Sequence, residues 1–168
     1  MKRYVWKFIT RVGLILALLV CAFGLEEVTP VYAAALTVTN ANDDGAGSLR
    51  QAIADAVDGD TIDFAADLAG QTIHLTTAEL TINKTVTIAN PAAPGLAISG
   101  DNARRVFNIQ SSGVVTLSGL SIINGAMASG WNYGGGIVNY GHLMVLNSTL
   151  SGSMASVGGG IANMGGGD

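Results

Sequence analysis

The sequence predicts an all-β fold: a right-handed parallel β-helix, or solenoid, with a short N-terminal capping α-helix. Three observations predict it. The first is a repeat. Gly134-Gly135-Gly136-Ile137-Val138-Asn139-Tyr140-Gly141 returns as Gly158-Gly159-Gly160-Ile161-Ala162-Asn163-Met164-Gly165, an offset of 24 residues, within the range that marks solenoids and propellers. The second is a set of short apolar runs with no helical period, such as Val114-Val115-Thr116-Leu117, Leu120-Ser121-Ile122-Ile123 and Leu143-Met144-Val145-Leu146, which read as strands. The third is charge. No Asp, Glu, Lys or Arg occurs from Val106 to Gly167, as suits strands stacked on strands.

A unit of this length cannot bury its own core and must stack on a neighbour. Parallel strands about 4.8 Å apart put like residues above like. Ile137 is therefore expected over Ile161, and Asn139 over Asn163 as an amide ladder. Upstream, Asn124-Gly125-Ala126-Met127-Ala128 aligns with Ser151-Gly152-Ser153-Met154-Ala155 at an offset of 27. That alignment leaves about three extra residues, Gly130 to Asn132, in the first copy, and such insertions map to a loop on one face.

Residues 1–33 read as a secretory signal peptide. Lys2, Arg3, Lys7 and Arg11 form its positive start, and Val12 to Leu25 is an apolar run of the right kind. Ala33 ends one cleavage site and Ala35 another. The run is shorter than the roughly 20 residues of a membrane-spanning helix. Cys21 follows Val20, where a lipoprotein signal has a small residue, so lipidation is not expected. Cleavage removes the one cysteine. It also removes four basic and two acidic residues, which takes the net charge from −4 to −6. An acidic exported chain without disulfides excludes nucleic acid as a partner and leaves a packed core to provide stability.

Residues 34–60 form the N-terminal strand and capping helix. Leu36-Thr37-Val38-Thr39 alternates and is β-branched, which makes it the first strand. Asn40, Asn42, Asp44 and Gly45 resemble the start of a calcium loop, but the twelfth position is Gln51 instead of the glutamate such a loop needs. An Asx turn is expected instead. Ser48 begins a Ser-x-x-Gln capping box with Gln51. Leu49, Ala52, Ile53, Ala56 and Val57 make one apolar helical face, and Gly59 is placed to end the helix in a left-handed conformation. This helix is expected to cover the open end of the solenoid.

Residues 61–168 read as β-helix coils. Thr61 to Phe64, Thr72 to Leu75, Leu80 to Ile82, Thr85 to Ile88, Ala97 to Ser99 and Val106 to Ile109 are further short strands, with Pro91 and Pro94 in a loop. Four to five coils are expected. The chain stops soon after a repeat begins, with no polar terminal cap in view, so a longer protein truncated at its C-terminus is expected.

Asp44-Gly45-Ala46-Gly47-Ser48-Leu49-Arg50-Gln51-Ala52-Ile53 resembles the N-terminal motif of exported bacterial β-helix proteins named for Cys-Ser-Leu-Arg-Glu-Ala. Ser48, Leu49, Arg50 and Ala52 match it, while Gly47 replaces the cysteine and Gln51 the glutamate. The Gly-Gly-Gly-Ile copies are similar to the Gly-Gly-Ala-Ile repeats of polymorphic outer membrane proteins. Their Phe-x-x-Asn element has no clear counterpart; Leu120 or Ile122 stands nearest, ahead of Asn124. The resemblance implies an exported, surface-associated protein with a pectin-lyase-like fold.

Chemistry is sparse. The acids available after the leader are Asp43, Asp44, Asp55, Asp58, Asp60, Asp63, Asp67, Glu79, Asp101 and the last residue, Asp168. A glycosidase needs two carboxylates flanking one bond, and a calcium-dependent lyase needs a carboxylate cluster with a base. Asp101 with Arg104 and Arg105 is the best constellation, and it reads more simply as a solvated turn with a local ion pair. His74 and His142 are isolated, which makes a poor zinc site. No Gly-x-Ser-x-Gly elbow occurs. Trp131 and Tyr133 are placed either to stack on sugar rings or to cover a coil edge. Thr85-x-Thr87 hints at an ice-binding face, but no regular threonine ladder recurs at the coil period. The sequence singles out no catalytic residue, metal ligand or cofactor site.

The expected function is that of a non-catalytic, secreted or cell-surface, adhesin-type repeat protein. It binds an extracellular partner or polysaccharide surface and meets a membrane only through its signal peptide or a missing C-terminal anchor. The alternative is a carbohydrate-active enzyme, a polysaccharide lyase or hydrolase, truncated before its catalytic coils.

Overall fold

The structure, a computed structural model, describes residues 33–127 and 133–165. Each coil runs through three strands, and like strands of successive coils pair in parallel. Sheet I has the order β1-β2-β5-β8-β11, sheet II β12-β9-β6-β3 and sheet III β13-β10-β7-β4. The sheet I strands are β1 (Ala35–Val38), β2 (Thr61–Phe64), β5 (Thr85–Ala89), β8 (Val114–Ser118) and β11 (His142–Leu146). Those of sheet II are β3 (Thr72–His74), β6 (Ala97–Ser99), β9 (Ser121–Ile123) and β12 (Thr149–Ser151). Sheet III holds β4 (Leu80–Ile82), β7 (Phe107–Ile109), β10 (Ile137–Asn139) and β13 (Ile161–Asn163). The result is a parallel β-helix of about five turns, beginning with β1 alone.

The core is a set of vertical stacks. In sheet I, Leu36, Ile62, Ile88, Leu117 and Val145 lie one above the next. Sheet II stacks Ile73, Ile98, Ile122 and Leu150. Sheet III stacks Leu80, Phe107, Ile137 and Ile161. Each residue type recurs because a parallel strand in register repeats its inward positions at every coil. The expected pairs Ile137 over Ile161 and Asn139 over Asn163 are both present. The second sheet III stack runs Ile82, Ile109, Asn139 and Asn163, so an interior aliphatic row becomes an amide row. Asn139 Nδ2 donates to Asn163 Oδ1 at 2.7 Å. Asn139 also exchanges two 3.1 Å bonds with the backbone of Gly141, which satisfies its buried amide.

The triple glycines serve backbone contact. Gly134 and Gly158 have φ of 58° and 62°, a conformation glycine adopts without strain. A Cβ at Gly136 would run against the Gly160 carbonyl of the next coil.

The upstream alignment differs from the sequence reading by one residue. Ala126 bridges Met154, and β9 pairs with β12 as Ser121 with Thr149 and Ile123 with Ser151. Asn124 therefore stands over Gly152, and both have positive φ, 50° and 65°. The left-handed turn sets the register, whereas side-chain likeness had matched Met127 to Met154. Tyr133 bridges Val157, so the six residues between Ala126 and Tyr133 oppose the two between Met154 and Val157. The insertion is four residues long. Gly130 to Asn132 and Trp131 themselves lie outside the described residues, as do the signal-peptide reading and Cys21.

The helix α1 (Leu49–Asp55) is shorter than its sequence pattern. Ser48 caps it, accepting from the Gln51 N–H at 3.1 Å. The reciprocal half of the box is absent: the Gln51 side chain donates to Asp55 Oδ1 at 2.7 Å, and the Ser48 N–H bonds the Gly45 carbonyl. The helix ends at Ala56, which is extended (ψ 145°). Val57 is half exposed instead of lying on the apolar face. Asp60 explains the early stop. Its carboxylate accepts from the Val57 and Ala34 N–H groups at 2.8 Å each, which draws the chain back beside β1. Gly59 does have positive φ (96°), in the turn into β2 and not at the helix end.

Leu49, Ala52, Ile53 and Ala56 join the core cluster. The helix packs on β1 and on β4, the end strand of sheet III, and so takes the place a first-coil strand would fill. Lys84 anchors the helix from the third coil. Its Nζ donates to the carbonyls of Ile53, Ala54 and Ala56 at 3.0, 3.1 and 2.6 Å, the last-turn oxygens that have no partner within a helix.

Candidate functional site

Charged side chains gather at one corner of the solenoid, where each coil passes from sheet II to sheet III. The corner is built from three turns on successive elements: the loop after β1, the β3–β4 turn and the β6–β7 turn. Asp43 comes from the first. Its Oδ1 accepts from Arg50 Nη2 at 2.6 Å. Its Oδ2 accepts from the Thr76 and Thr77 N–H groups at 3.0 and 2.7 Å, and from both hydroxyls. Burial alone would raise the Asp43 pKa; the bonds from Arg50, Thr77 and Thr76 outweigh it and hold the carboxyl far below the usual range. Arg50 also donates to the carbonyls of Glu79 and Ala78 at 3.0 and 2.6 Å. It thereby ties the helix to the second coil.

Glu79 pairs with Arg105, Nη1 to Oε2 at 2.8 Å, and accepts from Asn108 Nδ2. The remaining donors of Arg105 reach the Gly134 and Tyr133 carbonyls at 2.8 and 3.0 Å. Arg105 is buried, and these bonds carry the clasp into the fourth coil. Arg104 points the other way, to the carbonyls of Thr77 and Leu75 at 3.1 and 3.4 Å.

The turn expected from Asp101, Arg104 and Arg105 is present, but its members divide. Asp101 faces His74, whose Nδ1 lies 2.8 Å from Oδ1 and 3.0 Å from Oδ2. Ser99 Oγ donates to Asp101 Oδ1 at 2.7 Å. The Ser99 and His74 contacts lower the Asp101 pKa. Arg105 belongs to the Glu79 network. His74, read from the sequence as isolated, has a carboxylate partner; β3 and β6 bring it there by pairing His74 with Ser99. The pairing of coils was the signal that would have found it.

Two clefts border the corner. One of about 390 Å³ is lined by Thr77, Glu79, Arg104, Arg105 and Met127 among others. The other, about 510 Å³, lies between α1 and the β4 region, with Arg50 and Lys84 on its walls. Among the described residues no group of three or more His, Cys, Asp and Glu is placed to hold a metal ion. The turn at Asn40 is an Asx turn: the Asn42 N–H donates to Asn40 Oδ1 at 3.1 Å. His142 lies at the start of β11, on the outer face of sheet I and apart from the corner.

Comparison of the chain with protein-family models, with curated proteins and with solved structures gives no match.

Proposed function

We propose that this chain is an exported, cell-surface β-helix protein that binds an extracellular partner or polysaccharide and performs no catalysis. The observation that carries the reading is the use of the corner charges. Asp43, Arg50, Glu79 and Arg105 are each bonded across coils, and a carboxylate fixed in this way is a poor proton donor or acceptor. No Asp, Glu, Lys or Arg occurs from Val106 to Gly167, so the later coils offer a partner a neutral surface.

The likeness to the Cys-Ser-Leu-Arg-Glu-Ala motif and to polymorphic outer membrane proteins supports export and a surface location. In this chain the matching residues have cap roles: Ser48 caps α1, Leu49 is fully buried and Arg50 joins helix to coil. Gly47, which stands where the motif has cysteine, has φ 79°, and a Cβ there would run into the Thr39 hydroxyl.

The test is export followed by binding. Expressed with its own leader in a bacterial host, the chain is expected outside the cytoplasm with a new N-terminus at Ala34 or close to it. The purified product is expected to bind immobilised polysaccharide or matrix protein and to leave it uncleaved. A cytoplasmic chain with an intact leader would refute the reading.

A second reading, a carbohydrate-active enzyme, rests on the His74–Asp101 pair beside the Arg104 cleft, because an imidazole oriented by a carboxylate is a standard general base. Cleavage of a polyuronate that is lost in Arg104→Ala or with chelator would establish it in place of the first.

A further inference from the structure

We infer that removal of the leader between Ala33 and Ala34 completes the N-terminal clamp of the fold, because the α-ammonium it creates on Ala34 pairs with Asp60. The inference rests on the export reading above. Two charged residues are buried among the described ones, Asp60 and Arg105, 3% and 8% exposed. Arg105 has Glu79 as its partner. Asp60 takes part in none of the ion pairs among the described residues. A buried charge without a counter-charge is costly. Lys84 lends Asp60 a favourable field, but its Nζ is held by the Ile53, Ala54 and Ala56 carbonyls.

The nitrogen of Ala34 lies where a cation would complete the site. Its N–H donates to Asp60 Oδ1 at 2.8 Å, while the Val57 N–H donates to Oδ2, also at 2.8 Å. The backbone fixes that nitrogen in place. The Ala34 carbonyl accepts from the Thr61 N–H at 2.9 Å, and Ala35 opens β1 in register with Thr61. Ala33 and Ala34 are exposed and lie outside any helix or strand, where a protease reaches the backbone. The other small-residue cut, after Ala35, would fall inside β1 and remove Ala34. The structure thereby separates two cleavage sites that the sequence leaves equal.

The cut is a hydrolysis, catalysed by a leader peptidase of the export pathway. The C–N bond between Ala33 and Ala34 breaks. Water gives its hydroxyl to the Ala33 carbonyl carbon and a proton to the Ala34 nitrogen. The acid formed on Ala33 releases the second proton, and an α-amine of pKa about 7.7–8.0 holds it at neutral pH. The Val57 and Ala34 N–H bonds keep the Asp60 carboxyl below its usual range, so it is ionised there. A neutral N–H to oxygen bond thus becomes a charge-assisted one, roughly twice as strong. Ala34 is exposed, which leaves water for the other ammonium hydrogens. Asp60 also ends α1 through Val57, so this one bond tightens β1, α1 and the start of β2 together. The cap reaches full strength only after processing.

Tyr32–Asp168 is a compact unit of its own, so chains without the leader can be compared directly. One begins at Ala34 with a free amine, and the other is acetylated at that amine. Acetylation keeps an amide N–H and removes the charge, as the uncut bond does. Hydrogen exchange at the Val57 and Thr61 amides, at about pH 6 where the amine is protonated, is expected to be about five-fold slower in the free-amine chain, the ratio that follows when a neutral bond gains a charge. Amides of the fourth coil should exchange alike in both. Asp60→Asn is expected to remove the difference. Equal exchange in the free and acetylated chains would overturn the inference, a comparison that stands whether or not the variant folds. A difference that persists in Asp60→Asn would overturn it too. Expressed with its leader, the chain is expected to begin at Ala34. An exported chain beginning at Leu36 would overturn the inference and leave export intact, whereas a cytoplasmic chain with its leader would refute the export reading and remove the trigger with it.

Discussion

Replacing Arg50 by alanine should loosen the N-terminal cap and change how stability depends on pH. The Arg50 guanidinium lies 2.6 Å from Asp43 Oδ1 and bonds the Glu79 and Ala78 carbonyls. The side chains of Arg50 and Asp43 are 21% and 8% exposed. Breaking a buried ion pair costs about 3–5 kcal/mol. Water reaches part of Arg50, and Asp43 keeps its threonine donors, so about 2–3 kcal/mol is expected. With a urea slope of about 1–3 kcal/mol/M, the midpoint should fall by about 1–2 M. Arg50→Lys keeps the charge but loses the planar fork and should fall between. The sign with pH follows from Asp43. Its folded pKa lies below the unfolded value of about 3.9. Its contribution is therefore complete above about pH 4 and disappears as pH falls through the folded value. The gap between wild type and Arg50→Ala should be widest at neutral pH and narrow in strong acid. The assay is urea unfolding followed by circular dichroism at pH 7, 4 and 2. A gap under about 0.5 kcal/mol at pH 7, or one unchanged at pH 2, would refute the ionic account and leave only packing of the Arg50 stem.

Three further substitutions test other parts of the fold. Lys84→Met should cost about 1–2 kcal/mol, because three helix-end carbonyls lose a charged donor. Hydrogen exchange should speed up in residues 49–56 while amides of the fourth coil keep their protection; uniform acceleration would contradict a local role. Asn139→Ala should cost about 2–3 kcal/mol by leaving the Gly141 N–H and carbonyl without side-chain partners. Asn163→Ala should cost less, since Asn163 is exposed; thermal unfolding of both variants reads the difference.

The stacks were legible because a parallel coil repeats inward positions at fixed backbone geometry, so Ile137 and Ile161 announce one another. The register at Asn124 was not, because asparagine and glycine are interchangeable at φ near 50–65° while the neighbouring methionines look like the match. Backbone conformation outranked side-chain identity there. The helix end was misread for a related reason. The apolar pattern runs on to Val57, but Asp60 and Lys84, contributed from beyond the helix, decide where it stops. The corner cluster was legible only as separate charges. Asp43 meets Thr77 across 34 positions and Arg105 meets Glu79 across 26. Coil lengths that vary between 24 and 30 residues, as from Ile137 to Ile161 and from Phe107 to Ile137, leave no fixed offset by which to pair them in advance.

The two halves of the solenoid are held differently. The N-terminal coils lack the Gly-Gly-Gly-Ile-x-Asn copies, so their corner turns cannot rely on like stacking over like. Asp43, Arg50, Glu79 and Arg105 supply directional bonds where the repeat is imperfect, and Arg105 extends the last of them to the Gly134 carbonyl. Beyond that point the two glycine-rich copies meet through backbone contact and an amide ladder. The charges therefore end where the repetition begins. On this account, placing a charge in the later coils should disturb stability only at inward positions such as Ile137, and leave outward ones such as Met144 free to vary with whatever surface they meet.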